Sequence, residues 1–335
     1  MQISVIIPSY NAAKWLKKTI YKINANMLEA GLDPKKSEII IVDDGSFDNT
    51  KETIKAIRTK LIFPLVYSRH KNSGRYITRK KGVSLANNEL IWFIDSRVYT
   101  HPNALKYVID EMKKKPNDLV WNAHVYVDKK GNIIARFMDA ITFIGWRKYF
   151  KNPRRCSYGL RDFDYYPKGT TSFIAPKKII EKAIDNFEKE DRDLKTSSDD
   201  THLIRFIAST YPINISPKFS CTYHARTTLK AFIKHTYHRG QVFIDGFLRP
   251  GTRFFFPIIF SLSVSLFIVI SVVIYPAVIL LLVPLLVVAL LVEMVAALIM
   301  KVPAKDTLSL VALTPLFSIF YLLGMWRGFL RRYWL

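Results

Sequence analysis

Ser4–Asn11 reads SVIIPSYN, and Glu38–Thr50 reads EIIIVDDGSFDNT. Each is a short apolar run that stops abruptly at polar, turn-forming residues. Neither run alternates, so both predict strands covered on two faces, as in a parallel sheet. Leu90–Ile94 (LIWFI) ends in the same way at Asp95. The intervening segments have helical spacing: Lys14–Asn24, with Trp15, Leu16, Ile20 and Ile23 on one face, then Lys51–Thr59 and Ile77–Ala86. Leu65–Tyr67 is a short strand, and Asn103–Lys114 a further helix. Strands alternating with helices over short links predict an α/β fold with a doubly wound, mostly parallel sheet. Ligands on such sheets bind beyond the C-terminal strand ends. Ser9–Asn11, Asp43–Ser46 and Asp95 all fall there.

The middle of the chain is less regular. Val120–Val127 reads as a strand, and Gly131–Arg136 as its hairpin partner across the turn DKKG. Arg147–Lys168 is basic and aromatic without a period, and reads as loop. Thr170–Ala175 is a strand; Lys177–Phe187 and Thr201–Ser209 are helices.

Beyond residue 228 the composition changes. From Leu229 to Arg249 apolar residues interleave with Lys230, Lys234, His235, His238 and Arg239. This basic amphipathic pattern suits a helix lying in a membrane interface. From Phe254 to Val292 there is no charged side chain. A span needs about 20 apolar residues, so the stretch to Met300 holds two, parted near Tyr275 and Pro276, and Leu308–Trp326 makes a third. The expected organisation is therefore a catalytic domain over residues 1–228, an interface segment over 229–253 and a membrane region over 254–335. Its spans lie near 254–275, 277–300 and 308–326. Three spans leave Arg327, Arg331 and Arg332 opposite Lys301 and Lys305, against the positive-inside bias; two spans would restore it. Glu293 is costly inside an apolar helix, unless it snorkels from the helix end.

The 335 residues carry 50 Lys and Arg against 27 Asp and Glu, a net charge of +23. Such an excess implies an anionic partner. With an apolar tail and no nucleic-acid-binding motif, membrane lipid headgroups are expected and nucleic acid is not. Cys156 and Cys221 lack metal-type spacing and read as reduced thiols. The N-terminus enters a strand at once and lacks the features of a signal peptide, so the catalytic domain is expected in the cytoplasm of a multi-pass cell-membrane protein.

SVIIPSYNAAKWLKKTI (4–20), EIIIVDDGSFDNT (38–50) and NSGRYITRKKGVSLANNELIWFIDSRV (72–98) resemble, in order and spacing, the inverting family 2 glycosyltransferases of the GT-A fold. The resemblance covers roughly Ile3–Leu105 and continues more loosely to Gly240. It implies a UDP- or GDP-linked sugar donor, held by the backbone near Pro8, by Tyr10 and by Asp44, with Asp43 close by. Tyr10 offers a flat face to the base, and Asp44 an acceptor for its N–H. Arg79, in T-R-K-K-G, occupies the position of the arginine in the family's A-R-N-x-G segment and can fork onto diphosphate oxygens. Lys80 replaces the asparagine. Lys71, Arg75 and Lys81 read as solvated or membrane-facing.

The family's D-x-D segment is Asp95-Ser96-Arg97 here. Mg²⁺ or Mn²⁺ can be held by one or two carboxylates plus substrate phosphates, so Asp95 alone could suffice, or Arg97 could partly replace the ion. His224 stands where relatives carry a histidine that helps bind metal or diphosphate. SSDDTHLIR (197–205) matches the family's E-D pair, with Asp200 as the base and Asp199 as the alternative in a register uncertain by one. The same residues also suit helix capping. The implied reaction is direct displacement with inversion onto a lipid-linked or cell-surface glycan. A polyprenyl-phosphate sugar synthase of the dolichyl-phosphate type is the alternative acceptor reading; a non-catalytic scaffold is the alternative to an enzyme.

Overall fold

The computed structural model describes residues 1–189, 194 and 197–333; positions 334 and 335 of the expected membrane region lie outside them. The described residues form two compact units. Met1–Asp128 and Lys151–His224 make the first; Lys129–Phe150 and Ala225–Leu335 make the second.

In the first unit, β1 (Ser4–Ser9), α1 (Ala13–Glu29), β2 (Glu38–Asp43), α2 (Thr50–Arg58), β3 (Leu65–Arg69), α3 (Arg75–Leu85) and β4 (Leu90–Ile94) follow the expected alternation. β1 is the central strand, parallel to both β2 (Ile6↔Ile40) and β4 (Ile6↔Phe93), and β3 pairs parallel with β2. β1, β2 and β4 are buried along nearly their whole length because α1 and α2 cover one face and α3 the other, whereas β3, at the sheet edge, is buried only at Leu65. Gly82 explains how closely α3 approaches: a Cβ there would sit 2.3 Å from Ile6 Cγ2. This contact sinks the preceding turn of α3, and Arg79 with it, against the sheet.

β5 (Val98–Thr100), α4 (Ala104–Lys114) and β6 (Val120–Val127) come next. After the chain's excursion into the second unit come β7 (Cys156–Tyr158), β8 (Ser172–Pro176), α7 (Lys177–Glu188), α8 (Asp199–Thr210) and β9 (Ile213–Tyr223). The sheet order is β3-β2-β1-β4-β8-β6-β9-β5, with β7 on β9. β8 is antiparallel to β4 and β6, so the sheet is mixed beyond β4. The strand at Ile213–Tyr223 was not anticipated, and the expected loop 147–168 contains β7 and a 3-10 turn at Leu160–Tyr165.

The second unit holds the α5 helix (Ile133–Gly145), the short α6 (Arg147–Phe150), α9 (Leu229–Phe247), α10 (Phe255–Ile274), α11 (Val278–Ile299) and α12 (Ala304–Tyr333). The expected hairpin strand at Gly131–Arg136 is instead the start of α5. Asn132 caps it, its Oδ1 accepting from the N–H groups of Ile134 and Ala135. Ile134, Phe137, Ala140 and Ile141 then recur at helical spacing and pack on Phe232, Leu310 and Phe317. Asp306, 1 % exposed, anchors α5 by accepting from Lys129 Nζ (2.7 Å) and Arg136 Nη1 (2.8 Å).

Among the described residues three helices, α10, α11 and α12, are long and apolar enough to cross a membrane. Phe260, Phe267 and Leu280 are each at least 70 % exposed, a surface that hydrocarbon would cover. α12 starts four residues before the expected span. Glu293 Oε1 accepts from Thr314 Oγ1 at 2.7 Å.

The basic helix α9 does more than present an amphipathic face. It packs along α12 through glycines, and both helices run in the same direction. A Cβ on Gly324 would lie 2.1 Å from the Tyr237 carbonyl, and one on Gly240 2.2 Å from that of Tyr321. Both obstacles are backbone, so the helices would have to part. Gly324→Ala should cost about 1–3 kcal/mol, seen as a lower unfolding midpoint in detergent. Gly145→Ala, where a Cβ meets nothing within 4 Å, should leave that midpoint unchanged.

Candidate active site at the strand ends

The turns after β1 and β2 are tied together. Asn11, at φ 47°, donates its N–H to Ser46 Oγ (2.9 Å) and accepts from Phe47 N through Oδ1 (3.0 Å). This leaves two aromatic rings outside. Tyr10 (46 % exposed) and Phe47 (83 %) meet edge to face, 6.0 Å apart. Two adjacent exposed rings are costly in water and suit a flat ligand. Phe47 was passed over in the sequence because it sits inside a turn that explains itself.

Asp43 and Asp44 are both buried and hold the turns. Asp43 accepts from Ser46 N (2.9 Å) and from the Tyr67 hydroxyl (2.8 Å), with Arg69 at 3.7 Å. Burial, reinforced by that carboxylate, pushes the Tyr67 phenol up to about 12. Asp44 accepts from Ser73 N (2.7 Å), Gly74 N (3.1 Å) and Asn72 Nδ2 (3.2 Å), which fixes the approach to α3. Its own N–H donates to the Ser9 carbonyl beside Pro8 (2.8 Å). Gly74, at φ 93°, supplies the left-handed backbone from which α3 starts.

Beyond this turn lies a row of alternating charges. Arg75, the first residue of α3, is half-exposed, with Nη2 3.7 Å from Asp199 Oδ1. Arg79, one helical turn further, is buried. It forms a close ion pair with Asp199 through Nη1 and reaches Asp95 Oδ1 at 3.5 Å through Nη2. Burial alone would raise the Asp199 carboxyl, but Arg79 and Arg75 hold it below its ordinary value. Asp95, at the end of β4, is pushed up by burial against the pull of the same two arginines. Lys80, on the opposite side of α3, bonds Glu188 at 2.6 and 2.8 Å. The cation that departs from the family pattern thus serves α7.

Asp199 and Asp200 open α8, where carboxylates favour the positive helix end. Asp200 is half-buried; Oδ1 accepts from Thr201 N (2.8 Å). A Cβ on Gly169 would lie 3.9 Å from Asp200 Oδ2. Gly169 therefore lies beside this carboxylate, and its missing side chain leaves room above it.

His224 is buried. Its Nδ1 donates to Asp128 Oδ2 at 2.9 Å, and its ring lies between Trp15 and Tyr99. Its N–H donates to the Arg97 carbonyl (3.0 Å). The Asp128 carboxylate on Nδ1 fixes the orientation of the ring. Asp128 was not singled out in the sequence, since nothing local links it to a residue 96 positions away. Among the described residues no three or more His, Cys, Asp or Glu side chains converge as a metal cluster. The donor set fits an ion that arrives with phosphate oxygens: one carboxylate, Asp95, with a side chain 33 % exposed at a strand end.

A family model described as glycosyl transferase family 2 matches residues 4–171, half of the chain. The chain belongs to glycosyl transferase family 2. An uncharacterised glycosyltransferase of Mycoplasma pneumoniae is 35 % identical over 122 residues, covering 36 % of this chain and 40 % of that protein. The poly(ribitol-phosphate) beta-N-acetylglucosaminyltransferase TarP of Staphylococcus aureus is 30 % identical over 136 residues, 40 % of each chain. The chain thus spans less than half the length of these curated relatives. The mannosyltransferase PcManGT of Pyrobaculum calidifontis, solved with GDP-Man and Mn²⁺, has a TM-score of 0.59 at 14 % identity, over 98 % of this chain and 87 % of its own. At that identity the likeness is one of fold, and the α/β architecture of the family 2 domain is the expected GT-A one.

Proposed function

We propose that this family 2 protein is a membrane-anchored inverting glycosyltransferase. It moves a sugar from a UDP- or GDP-linked donor to a lipid-linked or cell-surface glycan, with its catalytic unit in the cytoplasm. The observation that carries this reading is the line from the exposed Tyr10–Phe47 pair, past Asp44, to the charged row Arg75–Asp199–Arg79–Asp95 with Asp200 beside it. An aromatic lip suits a nucleobase, and the charged row suits a diphosphate.

In this reading the base lies on Tyr10 and Phe47, next to the backbone near Pro8 and to Asp44, while Asp43 keeps the turn rigid. Arg79, facing inward, is a positioning residue: it holds Asp199 and Asp95 in place. Asp199 is committed to that pair, so Asp200 is the base. It takes the proton of the acceptor hydroxyl as that oxygen bonds to the anomeric carbon. The bond from that carbon to the diphosphate breaks, and its electron pair leaves on the phosphate oxygen. No covalent intermediate forms. A divalent cation, Mg²⁺ or Mn²⁺, would be held by Asp95 with His224 behind it, and would supply positive charge to the leaving diphosphate. Arg97, two residues after Asp95, would add positive charge to the same end.

The test is nucleoside diphosphate release by detergent-purified full-length protein from a panel of UDP- and GDP-sugars. Membrane lipid extract, or polyprenyl phosphate for the synthase alternative, serves as acceptor. One donor should turn over with Mg²⁺ or Mn²⁺ and stop with chelator, and Asp95→Asn should lose about 100-fold or more. No release from any donor would overturn the transferase reading in favour of a scaffold.

A further inference from the structure

Arg75 was set aside in the sequence as a solvated cation. Its place in the structure is more specific. Gly74 and Ser73, immediately before it, give their N–H groups to Asp44, which stands next to the nucleobase end of the site. Asp199, which its guanidinium faces, is joined through Arg79 to Asp95 at the other end. Arg75 therefore lies between the two ends.

Its bonding is also incomplete. At 3.7 Å its contact with Asp199 exceeds hydrogen-bond length, and the side chain is 55 % exposed. Arg79 takes Asp199 Oδ2, and Arg75 faces the other oxygen, Oδ1. Of the two arginines on Asp199, Arg79 is the closer and the buried one, so Arg75 is the one placed to turn to another anion. A guanidinium grips phosphate oxygens through two parallel N–H groups. Arg79 cannot turn the same way without stripping the buried Asp199 of its main partner.

We infer that Arg75 is the direct binding residue for the donor's diphosphate, and that it exchanges its loose contact with Asp199 for the phosphate oxygens when nucleotide binds. The inference rests on the proposed transferase reading and deepens it. Lys80 provides the control: it lies on the same helix and carries the same charge, but faces Glu188 instead.

The experiment is calorimetric titration of the full-length protein with UDP, GDP, UMP and GMP in the presence of Mg²⁺, which does not depend on turnover. For whichever diphosphate binds the wild type, Arg75→Ala should raise Kd about 10- to 100-fold. The matching monophosphate should change less than about threefold, and Arg75→Lys should recover part of the loss. Lys80→Ala should bind as the wild type does. A diphosphate Kd for Arg75→Ala within about twofold of wild type would overturn the inference while leaving the transferase reading intact. Equal weakening of mono- and diphosphate would also overturn it, marking Arg75 as structural. If the wild type binds none of the four nucleotides, both readings fall together.

Discussion

Asp200→Asn should lower turnover by about 10²–10⁴-fold, the range for loss of a general base, while donor affinity stays within about twofold. The amide keeps the shape of the carboxylate and can still accept from Thr201 N, so α8 should start as before. What disappears is the group able to take a proton next to the space left by Gly169. Steady-state kinetics would show the loss in kcat, with KM for the donor little changed. The comparison with Asp199→Asn sharpens the result. That substitution removes the charge paired with Arg79 and should reduce the amount of folded protein and donor binding together. A large kcat effect without a stability effect at 200, and the reverse at 199, would separate the two adjacent carboxylates. Equal kinetic profiles would mean that the register of the pair has been misread.

The second large effect is expected at Arg79. Arg79→Ala takes from buried Asp199 its closest cation, leaving the looser Arg75 contact and the Asp200 backbone N–H, and takes from Asp95 its nearest cation. Breaking a buried ion pair by removing one partner costs about 3–5 kcal/mol. Chemical denaturation in detergent should show this as a lower midpoint. Arg79→Lys should not restore it, because a single ammonium cannot reach both carboxylates at once. The pH dependence follows from the direction of the Asp199 shift. Its folded value lies below the unfolded one, so its stabilisation is complete above the ordinary aspartate value of about 4 and is lost as pH falls through the lower folded value. In Arg79→Ala that protection shrinks, and acid unfolding should begin at higher pH. An unchanged acid limb would argue against the pair.

The parts of the site that could be read from the sequence are those built by strands. β1, β2 and β4 are buried on both faces, so each is an uninterrupted apolar run whose end can be seen directly, and Tyr10, Asp43, Asp44 and Asp95 mark those ends. What could not be read depends on partners distant in sequence. Ile133 and Ile134 after a DKKG turn look like a hairpin strand as long as Phe232 and Leu310 are not known to lie against them. Arg75 and Arg79 are two arginines one turn apart on one helix. Only the approach of Gly82 to Ile6, and the return of Asp199 from 120 positions further on, turn one inward and leave the other outside. Lys80 shows the same limit from the other side, since its partner Glu188 is equally remote. β9 was missed because Pro217 and Lys218 interrupt its pattern at the register shift opposite Ala123 and His124.

The salt-bridged anchor of α5 on Asp306 has a practical consequence. The chain leaves the catalytic unit after Asp128, builds Lys129–Phe150 into the helical unit, and returns. The two units are therefore interleaved along the gene, and no single cut separates them. Stopping the chain at His224 to obtain a soluble enzyme would keep α5 but delete Phe232, Leu310 and Asp306, leaving Phe137 bare and Arg136 and Lys129 without their shared carboxylate. A soluble version needs two edits: the tail removed, and the 129–150 excursion replaced by a short polar link. During synthesis the same interleaving sets an order, because α5 emerges more than 150 residues ahead of the aspartate that holds it.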